Sequence, residues 1–159
     1  MRFSLIDRVL SLEPKSKIVG LKTLSLAEEY LSDHFPTAPV MPGVLMLESL
    51  TQAATWLIRG SENFAHSMVL LKEAKSVKYG AFVEPGQTMN VTADVQEWDD
   101  RLVKLKCQGT VAGVTCASAR LVIERYNLAE TDPAQAKVDD FINGKMRELY
   151  SVLCPTEVV

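Results

Sequence analysis

The hydrophobic residues of this chain change their spacing along its length. Ten of the fifteen residues from Val44 to Ile58 are apolar, and the composition of this run is typical of a helix. A helix that is apolar on all faces is buried on every side, whereas a membrane span needs about 20 apolar residues and this run is shorter. The pattern therefore predicts a central helix that the rest of the domain encloses.

Most of the remaining chain alternates apolar and polar positions, as strands do. Strands are predicted at residues 17–25, 68–72, 75–82, 88–98, 101–112 and 114–124. The run Glu84-Pro85-Gly86-Gln87 and the glycine at Gly113 are typical of turns between them. Residues 3–12 show instead the spacing of a short amphipathic helix. We expect an α+β domain in which about six antiparallel strands curve around one helix.

The segment after residue 126 has a different character. Asp132-Pro133 is typical of a helix cap followed by a first-turn proline. A helical stripe of apolar residues follows, at Val138, Phe141, Ile142, Leu149 and Leu153. We expect residues 1–126 to form one domain and residues 127–159 to form a helical extension docked on it, with contact to a partner as the alternative.

Composition and charge exclude several classes of function. Hydrophobic residues make up 47% of the chain and charged residues 23%, as in a folded domain. The net charge of −3 gives no basic surface for nucleic acid, and no run is long enough for a membrane helix. The charged first residues argue against a secretory signal. Cys107, Cys116 and Cys154 lack CxxC spacing, which favours reduced thiols in a cytoplasmic protein and argues against a zinc site.

One residue departs from the apolar pattern of the predicted helix. Glu48 is the only charged residue between Pro42 and Arg59. Burying a carboxylate is costly, and buried carboxyl groups that stay partly protonated serve in acid catalysis. Gln52 lies one turn later and can hydrogen-bond the carboxyl group. The alternative is that Glu48 belongs to a structural network or a subunit interface.

The loop at residues 33–43 leads directly into this helix. It carries prolines at 36, 39 and 42, and proline restricts its own φ and the conformation of the residue before it. We expect a stiff, extended loop that spans about 25 Å and carries His34 away from its own helix. Pro42 suits the first position of a helix, and the Gly43 amide then has no partner within the helix.

These groups fit the elimination of water from a β-hydroxyacyl thioester. The Gly43 amide lies at the positive end of the helix dipole and can stabilise an enolate-like oxygen. His34 can take a proton from the carbon beside the thioester carbonyl. Glu48, when neutral, can give a proton to the leaving hydroxyl group. The sequence thus supplies a base, an oxyanion donor and an acid.

The run from His34 to Gln52 resembles the β-hydroxyacyl-acyl-carrier-protein dehydratases of the FabZ/FabA type, which have the hotdog fold. The matching residues are His34-Phe35-Pro36, Pro42-Gly43-Val44-Leu45, Glu48 and Gln52, without gaps. The flanking runs Ile6-Asp7-Arg8-Val9 and Val83-Glu84-Pro85-Gly86 are also similar. The resemblance covers roughly residues 3–125.

The resemblance implies a role for each matched residue. His34 is then the catalytic base, Glu48 the acid and Gly43 the oxyanion amide. The residues expected to bind or orient the substrate are Gln52, which would orient Glu48, together with Val44, Phe35 and Pro42. The resemblance also implies a homodimer, or a trimer of dimers, in which the histidine and the acid of one site come from different subunits.

The same resemblance implies the reaction and its partners. The expected reaction converts (3R)-hydroxyacyl thioesters on acyl carrier protein to trans-2-enoyl thioesters in fatty acid biosynthesis. The phosphopantetheine of the carrier protein holds the substrate, and the enzyme needs no cofactor or metal of its own. Thr37 stands where the family usually has glycine, and a β-branched residue would be strained there if φ were positive.

Other functions on the same scaffold stay open. They are a thioesterase, a dehydratase of polyketide or aryl-polyene chains, and a non-catalytic acyl-binding protein. Lys72, Lys75 and Lys78 fit a solvated strand face better than a contact with a carrier protein. His66 has no acidic partner at a telling spacing and is interpreted as structural.

Overall fold

The computed structural model describes residues 3–154. Residues 1–2 of the expected domain and residues 155–159 of the expected helical extension lie outside the described residues. The strands are β1 (Arg8–Glu13), β2 (Lys17–Thr23), β3 (Met68–Tyr79), β4 (Thr88–Trp98), β5 (Leu102–Val111) and β6 (Val114–Tyr126). The α-helices are α1 (Gly43–Ser61) and α2 (Ala136–Leu153). Short 3₁₀ turns occur at Glu29–Leu31, Leu128–Glu130 and Pro133–Gln135.

The six strands of the described chain form one antiparallel sheet in the order β1-β2-β4-β5-β6-β3. α1 packs against every one of them, which confirms the expected central helix. Leu50, Leu57 and Ile58 of α1 are completely buried against the inner face of the sheet. Each such side chain contributes about 1.5–3 kcal/mol through burial. Tyr79, at the end of β3, lies against Gly43 in the first turn of α1.

Residues 8–13 form the strand β1, so the helix predicted at residues 3–12 is wrong. Arg8 and Val9 pair with Leu21 and Gly20 of β2, and the pairing resumes at Ser11 after a bulge. An extra residue at a bulge interrupts the alternation that normally identifies a strand. The remaining periodicity looked helical, and pairing with β2 overrides any local helical preference.

The residues expected to form two strands at 68–72 and 75–82 form the single strand β3. Its pairing with β6 shifts register twice, between Leu71 and Glu73 and between Lys75 and Lys78. Ser76 adopts a positive φ of 51° at the second shift. The two bulges interrupt the alternation of apolar and polar residues within one continuous strand, so the sequence pattern indicated two strands.

α1 is not buried on every side, contrary to the sequence prediction. Val44 is 69% exposed, and Glu48, Gln52 and Thr55 are only partly buried. These residues are spaced by three or four and form one strip along the helix. The sheet is a single layer and covers one side of α1, so it leaves this strip open.

α2 is held onto the domain by a buried carboxylate. Asp139 accepts hydrogen bonds from the Ser67 hydroxyl and from the Leu128 and Ala129 amides, the latter two at 2.9 Å each. Burial opposes ionisation of Asp139, but these hydrogen bonds outweigh it and lower its pKa. The Tyr150 ring of α2 also lies 5.7 Å from the Trp56 ring of α1. The extension is therefore packed on α1 and held to the residues just before β3 and just after β6.

Replacing Asp139 by alanine is expected to release α2 while the sheet stays folded. The change leaves the Ser67 hydroxyl and two amides without their acceptor. Amide hydrogen exchange should rise across residues 136–153 and stay unchanged in β4 and β5. Because the pKa of Asp139 is lowered in the folded state, its contribution is present above about pH 3.9 and is lost as the pH falls further.

The matched control is Asp140→Ala, since Asp140 is exposed on the same turn of α2. It removes the same charge and should leave exchange across α2 unchanged. Equal exchange in the two variants would show that Asp139 does not hold the helix.

His66 has an acidic partner, contrary to the sequence prediction. Its Nε2 lies 3.4 Å from Oε2 of Glu62, and Arg125 Nε lies 2.9 Å from the same oxygen. The chain turns sharply after α1, with positive φ at Asn63 and Phe64, and this brings His66 back toward Glu62. α1 is about 28 Å long, so this cluster lies at the opposite end from Gly43.

The cysteines are free thiols, as the sequence predicted. Burial raises the pKa of the Cys107 thiol to about 12, so it is not a ready nucleophile. Within residues 3–154, no helix has the length and the apolar character needed to cross a membrane.

Candidate active site

The loop that carries His34 is anchored at both ends. Before it, buried Leu31 enters the core, and the Lys22 ammonium group donates to Glu28 Oε1 at 2.5 Å. After it, the Met41 amide donates to the Val83 carbonyl oxygen at 2.8 Å. The neighbouring elements therefore fix where the histidine lies relative to the start of α1.

The loop turns instead of running extended, so the expected span of about 25 Å is wrong. The Ala38 amide donates to the Phe35 carbonyl oxygen at 2.9 Å and closes a turn. Pro36 occupies the second position of this turn, where the φ of proline suits a turn as well as an extended chain. The His34 and Phe35 rings lie 4.6 Å apart in an edge-to-face arrangement.

Thr37 is free of the strain that a positive φ would impose. The residue of this loop with a positive φ is Phe35, at 50°. Such backbone strain costs about 1–3 kcal/mol, and it concentrates at functional sites. The family glycine position thus carries an unstrained threonine, and the strain lies beside His34.

The first turn of α1 presents free amides. The Leu45 and Met46 amides both donate to the Pro42 carbonyl oxygen, at 2.9 and 3.1 Å. Within the described chain, the amides of Gly43 and Val44 have no acceptor. They lie at the positive end of the helix dipole and can bind a developing negative charge.

The Tyr79 ring approaches Gly43 closely. A Cβ atom added at Gly43 would lie 3.2 Å from Cε1 of that ring. A side chain at position 43 would therefore require the half-exposed ring to shift by a few tenths of an ångström. Tyr79 belongs to β3, so the end of this strand covers the first turn of α1.

Glu48 is partly buried on the open strip of α1, so it is not enclosed as the sequence predicted. Gln52 Nε2 donates to its Oε1 at 2.9 Å. The strands were expected to enclose α1 on all sides, but the sheet covers only the side of the helix opposite Glu48. One carboxyl oxygen is thus held by Gln52, and the Glu48 residue remains partly exposed.

Two backbone groups that the sequence did not indicate complete the surroundings of Gln52. The Leu5 amide donates to Gln52 Oε1 at 2.8 Å, and Gln52 Nε2 donates to the Phe3 carbonyl oxygen at 3.1 Å. Every residue has a main-chain carbonyl group, and nearly every residue has an amide, so residue identity does not indicate which of them bind Gln52. The helix that the sequence predicted for residues 3–12 would also have used these backbone groups in its own hydrogen bonds.

The expected site residues fall into two sets. Gly43, Glu48 and Gln52 lie on one helix, whereas His34 lies on the preceding loop. No hydrogen bond or ion pair among residues 3–154 joins His34 to Glu48. One protomer therefore carries Gly43, Glu48 and Gln52 on the same helix but does not join Glu48 to His34.

Exposed apolar side chains lie at the first turn of α1. Val44 belongs to this turn, Tyr79 packs on Gly43, and Phe82 precedes Val83, whose carbonyl oxygen accepts from the Met41 amide. The exposed fractions of Val44, Tyr79 and Phe82 are 69%, 49% and 70%. A surface of this kind is typical of an interface with another protein.

A cavity of about 550 Å³ opens between the N-terminal segment and the first turn of α1. Phe3, Leu5 and Leu45 give it an apolar wall, while Tyr30 and Asp33 give it a polar one. Burial, and then the charge of Glu28, raise the pKa of Tyr30, so its hydroxyl group stays neutral. The cavity lies beside the loop of His34 and has the size of a small-ligand site.

Comparison with known protein families matches residues 1–120 to the FabA-like domain. Among curated relatives, the 3-hydroxyacyl-[acyl-carrier-protein] dehydratase FabZ of Wolbachia pipientis wMel is 33% identical over 119 residues, which are 75% of this chain and 83% of the relative. FabZ of Lactobacillus helveticus (strain DPC 4571) is 36% identical over 116 residues, covering 73% of this chain and 78% of the relative.

Solved structures with a similar fold have much lower sequence identity. The dehydratase heterocomplex ApeI:P from Xenorhabdus doucetiae has a TM-score of 0.65 at 17% identity, covering 84% of this chain and 90% of that chain. The HP0420 homologue from Helicobacter felis has a TM-score of 0.60 at 14% identity, covering 79% and 82%. These likenesses show the fold alone, and they confirm the hotdog architecture expected from the sequence.

Proposed function

The chain belongs to the FabA-like family, and on that premise we propose that it is a 3-hydroxyacyl-[acyl-carrier-protein] dehydratase. It is a lyase that removes water from (3R)-hydroxyacyl thioesters and forms trans-2-enoyl thioesters in fatty acid biosynthesis. The observation that carries the proposal is the hydrogen bond from Gln52 to Glu48. It holds an acid on the open strip of a helix whose first-turn amides are free.

The proposed elimination uses three groups. An imidazole nitrogen of His34 takes the proton from the carbon beside the thioester carbonyl, and the Gly43 amide stabilises the negative charge on the carbonyl oxygen. The electron pair of the broken C–H bond forms the C=C bond as the C–O bond to the hydroxyl group breaks. Glu48 gives its proton to the departing hydroxyl group, which leaves as water.

We propose that His34 and Glu48 of one site come from two protomers of a homodimer. Three features support this: the open strip of α1, the exposed apolar side chains around Gly43, and the absence of a bond from His34 to Glu48 among the described residues. A second copy seated there would complete the site and exclude water from it. Val44, Phe35 and Pro42 would then line the entrance for the substrate.

The proposed substrate carrier is the phosphopantetheine arm of acyl carrier protein, as the names of the relatives suggest. The chemistry above involves only proton transfers and charge stabilisation, so we propose that the reaction needs no cofactor of the enzyme. We also propose a cytoplasmic location, which the three free thiols support.

The reaction itself can be tested with crotonyl thioesters of acyl carrier protein and of coenzyme A. The purified protein should hydrate the double bond in the reverse reaction and reach the same equilibrium from the 3-hydroxy compound. Loss of the enoyl absorbance measures hydration, and a thiol reagent in a parallel sample measures hydrolysis. Release of free thiol without hydration would identify a thioesterase. The absence of both hydration and hydrolysis would contradict any catalytic role.

A further inference from the structure

Gln52 is tied to the main chain of the N-terminal segment, defined here as residues 3–7. The Leu5 amide donates to Gln52 Oε1 at 2.8 Å. Gln52 Nε2 donates both to the Phe3 carbonyl oxygen at 3.1 Å and to Glu48 Oε1 at 2.9 Å. Both protons of the side-chain amide are therefore engaged, and so is its oxygen.

The two backbone groups decide which end of the Gln52 amide faces Glu48. A main-chain N–H group can only donate, and a main-chain carbonyl oxygen can only accept. Turning the amide over would place Oε1 against two acceptor oxygens and Nε2 against the Leu5 N–H group. Gln52 can therefore present only an N–H donor to Glu48.

The N-terminal segment is itself rigidly held. Leu5 and Ile6 are 2% and 1% exposed, so both side chains lie in the core. The Asp7 amide donates to the Leu21 carbonyl oxygen at 2.8 Å, and the Asp7 carboxylate accepts from the Thr23 amide at 2.6 Å. The segment is thus fixed to β2 immediately after the groups that hold Gln52.

We infer that residues 3–5 form a main-chain clamp that positions Gln52 and thereby assigns the transferable proton of the acid to Oε2 of Glu48. This inference rests on the proposed dehydration. Oε1 already accepts from Gln52, so a proton on Glu48 resides on Oε2. When the O–H bond at Oε2 breaks and the proton joins the departing hydroxyl group, the electron pair stays on the carboxylate. The bond from Gln52 then stabilises the charge that forms.

The test removes one N–H group and keeps every side chain. Suppression of codon 5 with the α-hydroxy analogue of leucine replaces the Leu5 amide by an ester, which cannot donate to Gln52. The matched control places an ester at residue 7 and removes the Asp7 bond to Leu21 instead. Both esters are made in the wild-type chain and in Gln52→Ala, and circular dichroism checks that each protein folds.

The ester at residue 5 is expected to lower kcat for crotonyl-thioester hydration by about tenfold, which is the loss of about one hydrogen bond, while KM changes less than about twofold. In the Gln52→Ala background the same ester should have no further effect, because the clamp acts through that side chain. The ester at residue 7 should leave kcat within about twofold in both backgrounds.

Equal losses from the residue 5 ester in both backgrounds would overturn the inference, since they would indicate general loosening of the fold. An unchanged kcat in the wild-type background would overturn it as well. An inactive wild-type protein would overturn the proposed dehydration. NMR of the Gln52 side-chain amide would then decide separately whether residues 3–5 hold it, and an amide that exchanges freely would overturn the clamp as well.

Discussion

Replacing His34 by alanine is expected to lower kcat by about 10³-fold, within the range that general acid–base groups contribute. The described chain has one other histidine, and it lies at the far end of α1 beside Glu62. No second imidazole is therefore placed to take the proton. A factor of 10³ corresponds to about 4 kcal/mol of activation free energy. Initial rates of crotonyl-thioester hydration measure the effect.

The fold should tolerate this change, because His34 lies in a surface loop and makes no side-chain hydrogen bond among residues 3–154. Thermal unfolding is expected to shift little. His66→Ala is the control for the loss of an imidazole, and its kcat should stay near that of the wild type even if its stability falls. Comparable activity in His34→Ala and the wild type would remove His34 from the mechanism.

The second large effect is the recovery of activity in a mixed dimer. His34→Ala and Glu48→Gln are each expected to be nearly inactive as homodimers, since each lacks one group in both sites. In a heterodimer of the two variants, one site receives both defects and the other receives neither. A heterodimer isolated through two different affinity tags should recover about half of the wild-type kcat per dimer.

The recovery separates a shared site from a site within one chain. If His34 and Glu48 acted from the same chain, both sites of the heterodimer would carry a defect, and activity would stay at the level of the parents. Differently tagged copies of His34→Ala alone serve as the control and should show no recovery. This result also decides whether the open strip of α1 is the surface that a second copy covers.

The local features around the proposed site could be predicted from the sequence. The chain enters α1 at Gly43 after Pro42, and Gln52 lies within reach of Glu48 because residues one turn apart share a helix face. Asp132 caps the turn before α2 through the Ala134 amide, as its sequence position predicted. Strand β4 also begins and ends at the residues that the alternation indicated. In each case the cause lies within a few residues of the effect.

The features that the sequence pattern predicted wrongly depend on contacts between residues that are distant in the chain or on how the chain folds back. Residues 8–13 form a strand because β2 offers them a partner, and the bulge at Val9–Ser11 hides the alternation. His66 gains Glu62 as a neighbour because the chain folds back after α1. The open strip that holds Glu48 follows from the single layer of the sheet, which no local pattern encodes.

By itself, the sequence determined which chemical groups this protein has and which element carries each one, because turns, caps and helix faces depend on adjacent residues. The tertiary structure alone decided how those groups are held and exposed. The backbone of Phe3 and Leu5 reaches Gln52 across 47 or more positions of the chain, and the acid stays open to the outside. Main-chain polarity and the coverage of a helix by a sheet are properties of the packed chain, so residue identity carries no record of them.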